Sequence, residues 1–275
     1  MDSTDRGERF RQLHTGDEVL VLPNPWDIGT ARLFANLGFH ALATTSAGLA
    51  FSLGRRDGDG AVSRDETLEH VRTIVDATPL PVTADLENGF GESPETVAET
   101  IRLAGEIGLA GASIEDATYD PDEPIFAREL AIERIQAAAE AARALPYPFT
   151  LTARSENFIR GRPDLDDTLS RLRAFEAAGA DVLYAPGLPD ESALRAACSS
   201  VTKPLNYVAG FGRNRFTLAQ LKDFGVRRVS IGTSFCRAGL SAVLRAAREV
   251  LEQGSFGYVE GIGSVADFNE LIDPA

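Results

Sequence analysis

The chain has 275 residues, 44% of them hydrophobic and 25% charged, an ordinary globular composition with ample material for a core. Its formal net charge of −14 argues against a nucleic acid or an anionic membrane as partner. A local arginine or a metal ion can still reverse the field within one cleft, so a small anionic substrate stays open.

The two cysteines, Cys198 and Cys236, form neither a Cys-x-x-Cys pair nor a Cys/His cluster, which argues against a disulfide framework and against zinc. The first residues are polar and no run approaches ~18 apolar residues, so no signal peptide or membrane span is expected. The expected location is the cytoplasm.

Residues 1–16 read as a leading helix with Phe10 and Leu13 on one face. A repeating pattern of apolar strand, polar turn and amphipathic helix follows. The expected strands are Val19–Leu22, Ala41–Thr45, Val82–Ala84, Ala112–Glu115, Phe149–Ala153, Val182–Tyr184, Leu205–Tyr207 and Arg228–Ile231. The expected helices are roughly Asp27–Asn36, Arg64–Asp76, Pro94–Ile107, Ala127–Ala144, Asp164–Ala178, Glu191–Ala197, Leu218–Phe224 and Thr233–Glu252. Ser63, three residues before Glu66, makes a capping box, and Ser93-Pro94 supplies an N-cap with proline at the first helical position. Gly38, Gly108, Gly179 and Gly225 each close a helix before the next strand. The tail, 254–275, is Gly-rich and then forms a short apolar helix around Val265–Ile272.

Eight units with non-alternating, buried strands imply an all-parallel sheet. In one domain of this length that means an α/β fold of the (β/α)8 TIM barrel type. A doubly wound sheet would place a Gly-rich phosphate turn after strand one, where this chain has Pro23-Asn24-Pro25-Trp26-Asp27.

Barrel chemistry sits at the C-terminal strand ends. Strand three runs into Asp85-Leu86-Glu87-Asn88-Gly89-Phe90-Gly91, and two acids spaced i, i+2 on a strand share a side. They repel unless a cation or a proton sits between them. Glu115 ends strand four and Arg154 ends strand five, so Asp85, Glu87 and Glu115 should converge with an arginine beside them. An all-oxygen set without His or Cys favours Mg2+, with Mn2+ as the variant. Arg154 can neutralise part of that charge or donate to a developing oxyanion. The amides of Ser46, Ala47 and Gly48, after strand two, suit a substrate carboxylate. Asp57 in the loop that follows, Trp26 after strand one and Asn206 on strand seven complete the candidates. His14, His40 and His70 lie away from the C-terminal strand ends and read as structural or surface residues.

These motifs, in this order, resemble the phosphoenolpyruvate mutase/isocitrate lyase superfamily. The resemblance covers nearly the whole chain and rests on Pro23–Asp27, Thr45–Ala50, Asp85–Gly91, Ile114-Glu115-Asp116 and Thr152-Ala153-Arg154. It implies Mg2+ held by Asp85, Glu87 and Glu115, partly through waters, and a substrate carboxylate on Ser46, Ala47 and Gly48. It further implies an enolate steadied by Arg154, with Asp57 and Asn206 in the site. It also implies an eighth helix exchanged between subunits, in a dimer or tetramer.

Three departures narrow the chemistry. The Lys-Lys-Cys-Gly-His loop of the isocitrate-cleaving members is replaced by Ala117-Thr118-Tyr119-Asp120-Pro121, without Cys, Lys or His. Strand six ends in Ala185-Pro186-Gly187, where those lyases carry a glutamate. Glu87 stands where the family usually has a second aspartate. The expected activity is a Mg2+-dependent lyase acting on a small 2-oxo or 2-hydroxy carboxylic acid, by decarboxylation or retro-aldol cleavage. The proton donor is left open among Tyr119, Thr118 and solvent. A phosphonomutase or phosphonopyruvate hydrolase is the first rival, and a non-catalytic carboxylate-binding barrel the second.

Overall fold

The computed structural model describes residues 2–212 and 215–273. Residue 1 of the expected leading helix and residues 274–275 of the expected tail lie outside the described residues.

Eight short strands form: β1 (Leu20–Leu22), β2 (Leu42–Ala43), β3 (Val82–Asp85), β4 (Gly111–Glu115), β5 (Thr150–Arg154), β6 (Val182–Tyr184), β7 (Leu205–Val208) and β8 (Arg228–Ser230). They pair in parallel and in chain order from β2 to β8, and β8 returns to β1 with Leu20 opposite Arg228 and Leu22 opposite Ser230. Ala43 N donates to Pro23 O at 3.0 Å, which bridges β1 and β2 and brings the ring to closure. The (β/α)8 barrel expected from the eight units is the observed architecture.

The helices are α1 (Ser3–Leu13), α2 (Ile28–Asn36), α3 (Ser46–Ser52), α4 (Arg64–Ala77), α5 (Pro94–Glu106), α6 (Arg128–Ala144), α7 (Leu165–Ala177), α8 (Glu191–Ser200), α9 (Leu218–Asp223), α10 (Ser234–Gln253) and α11 (Val265–Ile272). Ser63 and Glu66 form the reciprocal capping box at α4, and Ser93 caps α5 with Pro94 at its start. α1 closes the N-terminal end of the barrel. Its Phe10 is fully buried in a cluster with Leu20, Leu22, Ala41, Ala43 and Ala110, with Leu13 packed beside it.

One difference from the sequence reading bears on the site. The stretch from Ser46, expected as a loop, is the short helix α3. Thr45 leaves β2 in an extended conformation and its hydroxyl caps the helix by accepting from Gly48 N at 3.3 Å. β2 is shortened accordingly, to Leu42–Ala43 instead of Ala41–Thr45.

α10 departs from the other barrel helices. Cys236 is its only buried residue, and Leu240, Val243, Leu244 and Leu251 are 50–85% exposed. α11 instead packs near α2, where Asn36 Nδ2 donates to Leu271 O and Asp273 O, both at 2.9 Å. An amphipathic helix with its apolar stripe open needs a cover, and none of the described residues supplies one. Among the described residues no helix is long and apolar enough to cross a membrane.

Candidate active site

Asp85, Glu115 and Arg154 are the last residues of β3, β4 and β5, and the sheet register sets Glu115 directly beside Arg154. Arg154 Nη1 lies 3.1 Å from Asp85 Oδ1 and 3.1 Å from Glu115 Oε2. Its Nη2 is 2.9 Å from Glu156 Oε1. Arg160, in the loop after β5, reaches Glu115 Oε1 at 3.2 Å. The Arg154 guanidinium also stacks 4.9 Å above the Tyr184 ring. Burial opposes its charge, but Glu115, Glu156 and Asp85 together hold its pKa well above the ordinary value, so it is always charged.

Glu87 reaches the cluster by a route the strand argument did not foresee. β3 ends at Asp85, so the i, i+2 same-side rule does not extend to Glu87. The chain turns there, with positive φ at Glu87 (48°), Gly89 (82°) and Phe90 (63°). A bulky residue in the left-handed region is strained and persists only where its surroundings impose it. Three bonds impose it here. Glu87 N donates to Asp85 Oδ1 (3.3 Å), Glu115 N donates to Glu87 O (2.9 Å), and Phe90 N donates to Asn88 Oδ1 (3.0 Å). Arg134, from α6, locks the turn from below by donating to the carbonyls of Asn88, Gly91 and Glu92. Gly91 is required by close packing, since a Cβ there would stand 2.6 Å from Thr96 Cγ2. Tyr119, from the loop after β4, donates its hydroxyl to Glu87 Oε2 at 2.8 Å.

A cavity of about 190 Å³ opens beside this cluster on the barrel axis. Ser46, Ala47, Asp57, Asp85, Arg154 and Asn206 all line it, with Ile159, Pro186 and Phe211 as an apolar wall. Of the three amides expected to face a carboxylate, Ser46 N donates to Asp85 Oδ2 (3.3 Å) and Gly48 N to Thr45 Oγ1. Only Ala47 N keeps no partner among the described residues. Gly48 and Trp26 are not brought to the cavity. They pack against each other behind it, with a Cβ on Gly48 only 2.9 Å from Trp26 Cβ, and His70 Nε2 sits 2.8 Å from Trp26 O. Glu87, Glu115 and Tyr119 are not among the residues that line it. His14 and Cys198 line a separate cavity of about 870 Å³ at the opposite end of the barrel, remote from the acids.

The sequence profile of the phosphoenolpyruvate phosphomutase family matches residues 10–251. The chain therefore belongs to this family, within the phosphoenolpyruvate mutase/isocitrate lyase superfamily. A 2-methylisocitrate lyase of Salmonella typhimurium is 30% identical over 242 residues, 84% of this chain and 80% of that protein. A Mycobacterium tuberculosis protein of uncharacterised function is 30% identical over 243 residues, 88% of each chain. Among solved structures, a Burkholderia cenocepacia protein assigned broadly as a lyase/mutase is 52% identical, with a TM-score of 0.95 over 98% of this chain and 96% of that one. An oxaloacetate acetylhydrolase bound to its product oxalate is 26% identical, with a TM-score of 0.87 over 98% of this chain and 95% of that one. The chain is an enzyme of a superfamily of lyases and mutases.

The charges of this phosphomutase-family site show what it lacks. Five carboxyls, on Asp57, Asp85, Glu87, Glu115 and Glu156, face the two guanidinium groups of Arg154 and Arg160. Burial, then Asp85, push Glu87 up to about 7. Burial, Asp85 and Glu115 likewise raise Asp57. Burial holds Glu156 above the ordinary carboxylate range in spite of Arg154, and its Oε2 has no hydrogen-bond partner. These are carboxyls short of positive charge, the donor chemistry of a hard divalent cation. Among the described residues, no three Asp, Glu, His or Cys side chains are drawn together tightly enough to enclose a bare ion. The set fits a cation that keeps part of its water shell, as magnesium does.

Sequence reasoning passed over Arg160 and Arg134, and gave Tyr184, at the end of strand six, no role. The spacing Glu156-x-x-x-Arg160 carried the one available signal, an i, i+4 pair directly after a strand end. Nothing in the sequence marks Arg134, which sits in mid-helix and becomes significant only when α6 lies beneath the β3 turn.

Proposed function

We propose that the protein is a Mg2+-dependent lyase acting on a small 2-oxo or 2-hydroxy carboxylic acid through an enolpyruvate-like intermediate. One observation carries this reading. Arg154 is held at once by Asp85 and Glu115, 3.1 Å from each, on the wall of a cavity sized for a small acid.

Asp85, Glu87 and Glu115 would hold the ion, and bound magnesium would polarise the 2-oxo group. The Ala47 amide receives the adjoining carboxylate at the start of α3, while the Ser46 amide and hydroxyl hold Asp85. Arg154, fixed by three carboxylates, points its guanidinium at the oxygen on which charge develops. It needs no reorganisation during the reaction, which is where electrostatic stabilisation is greatest. Asp57, with its raised pKa, takes the hydroxyl proton when a 2-hydroxy acid is cleaved. Tyr119 retains its proton, because burial and Glu87 raise its pKa, and it gives that proton to the strongly basic enolate carbon. Ile159, Pro186 and Phe211 give the cavity an apolar wall. The same region offers no cysteine or glutamate acid of the isocitrate-cleaving type.

The test is a panel of 2-oxo, 2-hydroxy and phosphono acids incubated with the protein and Mg2+, followed for pyruvate, CO2 and phosphate. Turnover of a carboxylic acid that is abolished by EDTA and by Asp85→Ala is the expected result. Phosphate release or phosphonate rearrangement alone would replace the lyase reading with C–P chemistry. Oxalate binding without any turnover would point to a carboxylate-binding protein.

A further inference from the structure

The interior of this barrel is polar well below the acids. Strand alternation sets Thr83, Ser113 and Thr152 one inward position beneath Asp85, Glu115 and Arg154, and all three line the same cavity. Barrel interiors are ordinarily layers of branched apolar side chains. The floor of the cavity is Arg228, on β8, whose residue is only 4% exposed.

Arg228 differs from the other enclosed arginines among the described residues. Arg154 has three carboxylates, Arg171 has Asp116 and Asp167, and Arg134 has three carbonyls. Arg228 has one hydroxyl, Thr152 Oγ1 at 2.8 Å from Nη1, and the Phe10 ring at 5.9 Å. No carboxylate among the described residues pairs with it, and its Nε has no partner. Burial lowers its pKa only to about 10, so it keeps its charge at neutral pH. An uncompensated buried cation is costly and is retained where something anionic meets it.

Its neighbours have spare bonding capacity as well. Thr83 Oγ1 and Asn206 Oδ1 are buried without partners, and Asn206 Nδ2 donates to Ser230 Oγ at 3.0 Å. If the Asn206 amide turns over, Ser230 becomes the donor to Oδ1 and the NH2 group faces the cavity. The floor then presents guanidinium, amide and hydroxyl donors, the set that receives a carboxylate.

We propose that Arg228 is a substrate-binding residue that receives a second carboxylate, so that the site selects small dicarboxylic acids over monocarboxylic ones. This rests on the reading of the site above as one for 2-oxo or 2-hydroxy acids. The acid at the reacting end occupies the Ser46–Ala47 mouth beside Asp85 and Arg154. The far carboxylate descends to Arg228, Thr83 and Asn206. A cavity of about 190 Å³ leaves room for only a short chain between them.

Malate and 2-hydroxybutyrate make a matched pair, with the same 2-hydroxy acid head and a carboxylate or a methyl group at the far end. Binding of both, and of oxalate, is measured by calorimetry in Mg2+ for the wild type, Arg228→Met, Arg228→Lys and Thr152→Val, with thermal unfolding alongside. The wild type should prefer malate roughly tenfold to a hundredfold. Arg228→Met should lose that preference, bind oxalate within about twofold of wild type, and unfold at no lower temperature, because an unpaired buried charge has been removed. Arg228→Lys and Thr152→Val should retain part of the preference, and they carry the test if the methionine variant does not fold. A wild type that binds both acids equally, a variant that keeps the full preference, or an equal loss of all three ligands would each overturn the proposal. Failure of wild type to bind oxalate would instead sink the reading of the metal and head-group site.

Discussion

Glu87 offers a direct test of the proposed metal centre. Without a cation its carboxyl is pushed from 4.5 to about 7, by burial first and then by Asp85, while the Tyr119 hydrogen bond pulls the other way. A carboxyl whose folded pKa lies above its unfolded one takes up a proton on folding. The stability it lends is complete below about pH 4.5 and is lost as pH rises through about 7. The gap between those values corresponds to ~3 kcal/mol, to order of magnitude. A bound divalent cation requires the ionised form, so its stabilising effect should grow between pH 6 and pH 8. Thermal unfolding in EDTA and in saturating Mg2+, at both pH values, measures this. In EDTA at pH 8, Glu87→Gln should melt above wild type by on the order of 5 °C, because it removes a buried repulsion. In Mg2+ the order should reverse. Burial also raises Glu156 and Asp116, so wild type alone will lose stability toward pH 8, and the comparison with the variant isolates Glu87. If the metal-induced shift survived intact in Glu87→Gln at pH 8, Glu87 would not be a ligand. If the metal-free variant melted no higher than wild type, the buried-charge reasoning would fail.

Arg154→Met should lower kcat by roughly a hundredfold to a thousandfold and cost about 3–5 kcal/mol in urea unfolding, since it strands three buried carboxylates. Wild-type stability in that variant would show that solvent already screens the cluster. Arg134→Met should destabilise by ~3 kcal/mol and also weaken Mg2+ binding, because the β3 turn loses its three carbonyl contacts; a stability loss with unchanged metal affinity would separate the clamp from the site. Tyr119→Phe should depress kcat while leaving oxalate affinity within about twofold, and an unchanged kcat would assign the proton to solvent. Light scattering should show a dimer or tetramer, and Val243→Glu with Leu244→Glu should release smaller species, if the open face of α10 is covered by a second copy. A wild-type monomer at micromolar concentration would contradict that cover.

The fold was legible because each strand–helix unit carries its own punctuation. Ser63, Ser93 and the closing glycines act locally, and locally acting residues can be read without a structure. Asp85, Glu115 and Arg154 were legible for a related reason. A residue that ends a strand of a parallel barrel has its position set by the architecture, so three such residues on consecutive strands must meet. Glu87 was placed for the wrong local reason. The strand stops before it, and a left-handed turn, held by Asp85, Asn88 and Arg134, delivers its carboxylate. Arg134 and Trp26 show the limit from both sides. One looks like any surface arginine of an amphipathic helix and is completely enclosed; the other looks like a site wall and lies behind the helix that forms the wall.

Arg228 extends the point to residues inside the barrel. In the sequence it is the second of two adjacent arginines and the first residue of the expected strand Arg228–Ile231, with nothing to mark which way it faces. Parallel pairing sets it opposite Leu20 on one side and Asn206 on the other, so alternation turns it inward. The same two-residue period runs through Thr83/Asp85, Ser113/Glu115, Thr152/Arg154 and Arg228/Ser230. Polar residues at alternate positions on four strands of a buried sheet contradict an apolar interior, and that contradiction is visible in the sequence once the sheet is taken as closed. A barrel that needed only a site at its mouth would have no reason to keep the lower positions polar. Keeping them so weakens the core, and a ligand that reaches down to them accounts for the exception.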